Sequence, residues 1–223
     1  MRSVSVALAV TLLAGCGGGT ETSEPPRSAM PVDRSGAPSG AVSTPLTTAI
    51  DLLLGPWLHA PIDLAPEALV AIGEACRTLQ DAPGEMVIAL VDARGGGSAD
   101  AYLASADGGL ETCIGLQIDQ SGTVGDFLMG NSYGPGRWSA VGPREVDVVD
   151  RSHIEAPRDE LHVAGLVGSD IAEVRFTADG REPIRATVMG GWFAAWLPAA
   201  RYARYTLRGY DANGVEVFAI GDY

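Results

Sequence analysis

The chain has 223 residues and carries 28 Asp and Glu against 15 basic residues, a net charge of −13. Every basic residue is Arg, and Lys is absent. So acidic a chain is a poor partner for nucleic acid, whose phosphates demand a basic surface. With 46% hydrophobic residues it has enough apolar material for one large domain or two small ones.

The opening, MRSVSVALAVTLLAGC, has the parts of an export signal. Arg2 gives a positive start, and Val4 to Leu13 is apolar except for Ser5 and Thr11. The run is too short for a membrane-spanning helix, which needs roughly 20 apolar residues. Leu13-Ala14-Gly15-Cys16 resembles the lipobox of bacterial lipoproteins: Leu, two small residues and a Cys directly after the apolar run. The resemblance implies a diacylglyceryl thioether on Cys16, cleavage before it, and residence on the extracytoplasmic face of the cell membrane. Two acyl chains anchor stably, at about 0.8 kcal/mol per buried methylene, where one holds only marginally. The alternative is an ordinary secretory signal, residues 1–15, with an incidental Cys at its end.

From Cys16 to Thr44 the chain is rich in Gly, Ser, Thr and Pro, with too little apolar surface to offset ordering. This predicts a lipidated tether with a typical span of about 30 Å.

A first folded unit is expected over residues 45–130. Thr44-Pro45 is a helix-start pair, and Leu46, Ile50, Leu53 and Trp57 recur at helical spacing before Gly55-Pro56. Its polar face offers Thr and Asp51 rather than Arg, so it suits docking onto the domain better than a lipid surface. In PEALVAIGEACRTL, Pro66 opens a second helix whose Leu69, Ile72, Cys76 and Leu79 share one face. Strands are predicted over 86–93, 99–106, 110–119 and 123–129, joined by Gly-rich connections with hairpin chemistry. A helix on an antiparallel meander is an α+β unit.

Cys76 and Cys113 are the remaining cysteines. In the compartment the lipobox implies, an even pair is expected to bridge, which would pin the helix to the sheet. The alternative is two buried thiols.

After NSYGPGRWSAVGP, residues 144–223 read as strands only: 144–150, 160–168, 171–178, 182–189, 192–198, 204–211 and 214–220. Asp179-Gly180 and Asn213-Gly214 are hairpin signals. The expectation is an all-β, sandwich-like unit. The stretch from Tyr205 to Gly214 resembles the last hairpin of immunoglobulin-like and fibronectin-like modules, which implies a sandwich and no particular function.

Four groups of residues could carry chemistry. Gly130-Asn131-Ser132-Tyr133-Gly134 matches G-x-S-x-G, but a nucleophile elbow needs a helix next, and Pro135-Gly136 follow. Asp147, Asp150, His153, Asp159, Glu160 and His162 are metal-capable, yet their spacing fits no zinc or EF-hand pattern, so no metal and no cofactor is expected. Trp192 and Trp196 share one strand face and could stack on a glycan, or fill a core. Arg201, Arg204 and Arg208 stand among Tyr202, Tyr205 and Tyr210, and could grip an anionic partner or pair with neighbouring carboxylates.

The sum is a lipid-anchored module of the cell envelope, binding rather than catalytic, with an envelope protein or a glycan as ligand. The rival expectation is an envelope hydrolase using Ser132 or the Asp150, His153 and His162 cluster.

Overall fold

A computed structural model describes residues 50–136, 138–155, 159–198 and 204–221. The signal, Cys16, the tether, the helix start at Thr44-Pro45, and Arg201 with Tyr202 lie outside them.

Helix α1 (Ile50–Leu54) buries Leu53 and stops at Gly55. Helix α2 (Pro66–Gln80) has Pro66 in its first turn and ends at Asp81, a non-glycine residue in the left-handed region at φ 52°. The expected face is rotated toward small residues. Ile72 and Cys76 are buried as predicted, but Ala68, Ala71 and Ala75 join them, while Leu69 and Leu79 are only partly covered. Close approach is the reason: a Cβ on Gly73 would sit 2.3 Å from the Ile88 side chain.

Strands β1 (Val87–Ala93), β2 (Ser98–Ala104), β3 (Leu110–Gln117) and β4 (Met129–Tyr133) form an antiparallel sheet in chain order. The fourth strand falls later than the predicted 123–129. That segment folds irregularly against the end of β3, through Gly125 N–H to the Gln117 carbonyl (2.8 Å) and Leu128 N–H to the Ile114 carbonyl (3.0 Å). Regular pairing starts only at Met129, opposite Ile114.

The C-terminal part makes two further antiparallel sheets. The second holds β5 (Val146–Ile154), β6 (Glu160–Val167), β10 (Trp192–Pro198) and β9 (Thr187–Met189), in that order. The third runs β12 (Glu216–Ile220), β11 (Thr206–Tyr210), β7 (Glu173–Thr177) and β8 (Ile184–Arg185). The predicted strand 182–189 is therefore two strands, β8 and β9, which leave Ala186 at the crossing between different sheets. Strands that switch sheets make corners in this way.

Three apolar clusters order the layers. Helix α2 packs on one face of the first sheet through Ile72, Ala75, Ala101 and Leu103. The opposite face, with Leu90, Tyr102 and Ile114, meets Ala164, Leu166 and Trp192 of the second sheet. The second and third sheets share a cluster around Val163, Phe193, Phe176 and Leu207. The described residues belong to one compact unit. Strand β2 is buried along its whole length, as expected of a strand covered on both sides. Cys76 of α2 and Cys113 of β3 sit at disulfide distance, with Cα atoms 5.7 Å apart.

Candidate functional site

Strand alternation separates the Asp and His residues that the sequence brings close. On β6, Ala164 and Leu166 face the first sheet, while Leu161 and Val163 face the third. His162 pairs with Ser152 on β5, and Asp150 with Ala164, so all three side chains point toward the first sheet. His153 pairs with Leu161 and points the other way, where it meets Asp159 at 3.0 Å. The expected Asp150, His153 and His162 cluster is not one site.

His162 is fully buried, with Nδ1 2.6 Å from the Asp100 carboxylate and Nε2 3.5 Å from Glu160. Burial lowers its pKa, but the charge and hydrogen bond of Asp100, with Glu160, outweigh that and raise it to about 9. An imidazole protonated at neutral pH is an ion-pair member rather than a general base. Asp100 also accepts the Gly115 N–H at 2.9 Å, and the Trp196 ring packs edge-on against His162.

Asp150 accepts hydrogen bonds from the Tyr133 hydroxyl (2.8 Å) and the Ser152 hydroxyl (3.1 Å), while burial pushes its carboxyl up. Asn131 donates to Ser152 at 2.8 Å. A third group centres on Arg94, which donates to Asp92 (2.8 Å) and to the carbonyls of His59 (3.2 Å) and Arg185 (2.5 Å). Thr187 donates to the same Asp92, whose carboxyl burial also pushes up against the opposing effect of Arg94. These side chains tie the first sheet to the C-terminal strands inside the molecule. Among the described residues, no group of three or more His, Cys, Asp or Glu could hold a metal ion.

Ser132 lies mid-strand on β4, at the edge of the first sheet, and donates to Glu111 across the strand pair at 2.5 Å. The chain after it turns at Pro135-Gly136 without forming a helix, so no elbow geometry surrounds the hydroxyl.

Trp192 and Trp196 are 8% and 6% exposed, on a strand flanked by β6 and β9. Their rings face the inter-sheet interior, Trp192 edge-on to Trp138 and Trp196 beside His162. Of the two expectations, the ligand surface is corrected and the core stands: buried rings offer no face to a sugar.

Arg204 and Arg208 do reach the surface, together with residues the sequence did not single out. Along β11 the inward positions Tyr205, Leu207 and Gly209 are buried, so Arg204, Thr206, Arg208 and Tyr210 face out. On β7, Val174 and Phe176 are buried, so Glu173, Arg175 and Thr177 face out. The register places Arg175 opposite both Arg208 and Arg185. Three arginines thus stand in one row across β8, β7 and β11. Glu173 sits among them, accepting from Arg175 at 2.6 Å and lying 3.3 Å from Arg185. The Arg175 hydrogen bond holds the Glu173 carboxyl below its ordinary value. Arg208 donates to Glu216 (2.7 Å) and to the Thr177 hydroxyl (3.1 Å), and the Arg175 guanidinium lies 4.7 Å from the centre of the Tyr210 ring. Beside this row an open cleft of about 630 Å³ is lined by Thr177, Asp179, Arg181, Arg204, Thr206 and Arg208, among others.

Arg175, Arg181 and Arg185 were missed because a cross-strand row depends on register, which the sequence does not state. The available signal was the alternation in EVRFT and RYTLRGY, which puts every Arg of both segments on the polar side. No protein-family model matches the chain, and neither does any curated protein or solved structure.

Proposed function

We propose that this protein is a lipid-anchored, extracytoplasmic binding module that presents the outer face of its third sheet to a ligand. The observation that carries the reading is the arginine row on that face, in a chain whose net charge is −13. Like charges directly opposite each other on neighbouring strands are unfavourable. Glu173 and Glu216 offset part of that repulsion, as the carboxylate-pairing alternative expected, and the arginines they pair with remain on the exposed face of the sheet.

Anchoring rests on Leu13-Ala14-Gly15-Cys16 and the two acyl chains it implies. Among the described residues, no helix is long and apolar enough to cross a membrane. The tether would set the folded part about 30 Å from the bilayer, leaving the third sheet free to meet an envelope ligand.

The finer fold belongs to the same proposal: the second and third sheets form an immunoglobulin-like β-sandwich. Taken in chain order as A to G, with β9 as D, the strands group as A-B-E-D in one sheet and G-F-C in the other, with β8 added at the edge. Tyr205, at the start of the F-equivalent β11, is buried and donates its hydroxyl to the Pro198 carbonyl at 3.2 Å. That is the tyrosine corner of such sandwiches. The likeness speaks to fold and not to ligand.

Fractionation of cells producing wild-type and Cys16→Ala protein tests the anchoring. Wild type should sediment with membranes and be released by detergent, whereas Cys16→Ala should leave the membrane fraction. Equal retention of the variant would overturn the lipid anchor. The rival hydrolase finds no support in the edge-strand setting of Ser132, and a serine-directed phosphonate should leave Ser132 unlabelled.

A further inference from the structure

We propose that the cleft beside the arginine row binds an anionic saccharide, whose carboxylate or phosphate is held by Arg181, Arg204 and Arg208. The inference deepens the binding reading above and rests on it.

The lining argues for an oxyanion. Guanidinium groups stay charged and present a planar fork that matches carboxylate and phosphate oxygens. Arg208 is fixed in place by Glu216 and Thr177, and Arg181 reaches the Tyr205 hydroxyl at 3.5 Å from the hairpin turn at Asp179-Gly180. Among the described residues the cleft is lined by neither His nor Cys, and its carboxylate is Asp179. It has the groups to hold an anion and lacks a nucleophile–base pair to transform one.

The rest of the lining argues for a hydroxylated body. The hydroxyls of Thr177 and Thr206 flank the arginines, and among the described residues Ala178 is the one aliphatic side chain in the cleft wall. An acyl chain, or the apolar side chains of a peptide, would find no pocket there. The volume of about 630 Å³ lies within the roughly 300–1,000 Å³ of small-molecule sites, and the open shape lets a chain of sugars run through.

The test uses the full chain in detergent micelles and four probes: a galacturonate oligomer, a neutral glucose oligomer of equal length, glucose 6-phosphate and a glutamate oligomer. The galacturonate oligomer or the sugar phosphate should bind, more weakly as salt rises, and the preferred one identifies the oxyanion. The neutral oligomer should not bind. Arg181→Gln and Arg204→Gln, with melting followed to confirm that each is folded, should each weaken binding about tenfold, the loss of one charge-assisted contact. Equal binding of the neutral oligomer, or unchanged affinity in both variants, would overturn the proposal. If the glutamate oligomer binds as tightly as either anionic sugar, the saccharide assignment fails while the cleft stands as a binding face. If no probe binds, the ligand class fails, and the anchoring reading is still decided separately by Cys16→Ala fractionation.

Discussion

His162 shows how this protein keeps a charge inside. Its imidazole pKa rises from the ordinary 6.5 to about 9, because Asp100 and Glu160 together outweigh burial. The folded chain thus holds a proton that the unfolded chain releases. The contribution is complete below pH 6.5 and fades as pH climbs through about 9. Asp92 and Asp150 act in the same direction: burial raises both carboxyls, so their ionisation weighs against the fold as pH rises. The loss of the His162 proton should lower the urea midpoint between pH 6.5 and 9.5, by about 3 kcal/mol of stability. In His162→Gln protein that alkaline fall should shrink. At pH 6.5 the variant should be about 3–5 kcal/mol less stable, since Asp100 loses its buried partner. A variant as stable as wild type at pH 6.5 would show that the pair does not hold the sheets together.

At the scale of elements, the link between α2 and β3 is the most exposed to test. Closing the 37-residue separation between Cys76 and Cys113 stabilises by about 4 kcal/mol in the chain-entropy model. A Cys76→Ser, Cys113→Ser double variant should lose that amount in urea unfolding. Thiol titration of unreduced, denatured wild type should find neither residue free. Gly209 on β11 is a second such point, because a Cβ there would lie 2.0 Å from the Phe218 ring of β12. Gly209→Ala should cost about 1–3 kcal/mol by overpacking, and Phe218→Ala in the same chain should recover part of it.

The elements differ in how plainly the sequence announces them, and the reasons are physical. Helix α2 is legible because Pro66 and helical periodicity act locally. The hairpin turns at Asp179-Gly180 and Asn213-Gly214 are legible because positive φ selects Gly; Gly180 and Gly214 sit at 68° and 78°. Strand β4 is displaced and 182–189 is divided because both depend on distant partners, β3 in one case and two separate sheets in the other. The candidate site follows the same rule. Arg204 and Arg208 stand out in a short stretch, but Arg175 and Arg185 become their neighbours only through register. The pairing of Asp100 with His162, 62 residues apart, carries no local signal at all.

For the whole molecule, the arrangement of layers has two consequences. The first and second sheets share both an apolar cluster and the polar links of Asp92 with Thr187, Asp100 with His162 and Asp150 with Tyr133, so neither face is finished without the other. The protein should unfold in a single cooperative transition, with near-ultraviolet and far-ultraviolet signals superimposed in urea. Two separated transitions would mean that the helix-bearing sheet and the C-terminal sheets are independent. The other consequence concerns placement. The arginine face belongs to the third sheet, the layer at the opposite end of the stack from α2.

The claim on which this account turns is that Cys16 is both the lipid attachment point and the first residue of the mature chain. Intact mass measurement of protein extracted from membranes tests it most directly. The account predicts a chain that begins at Cys16 and carries a diacylglyceryl group there. A chain beginning at another residue, or one with an unmodified Cys16 thiol, would contradict it.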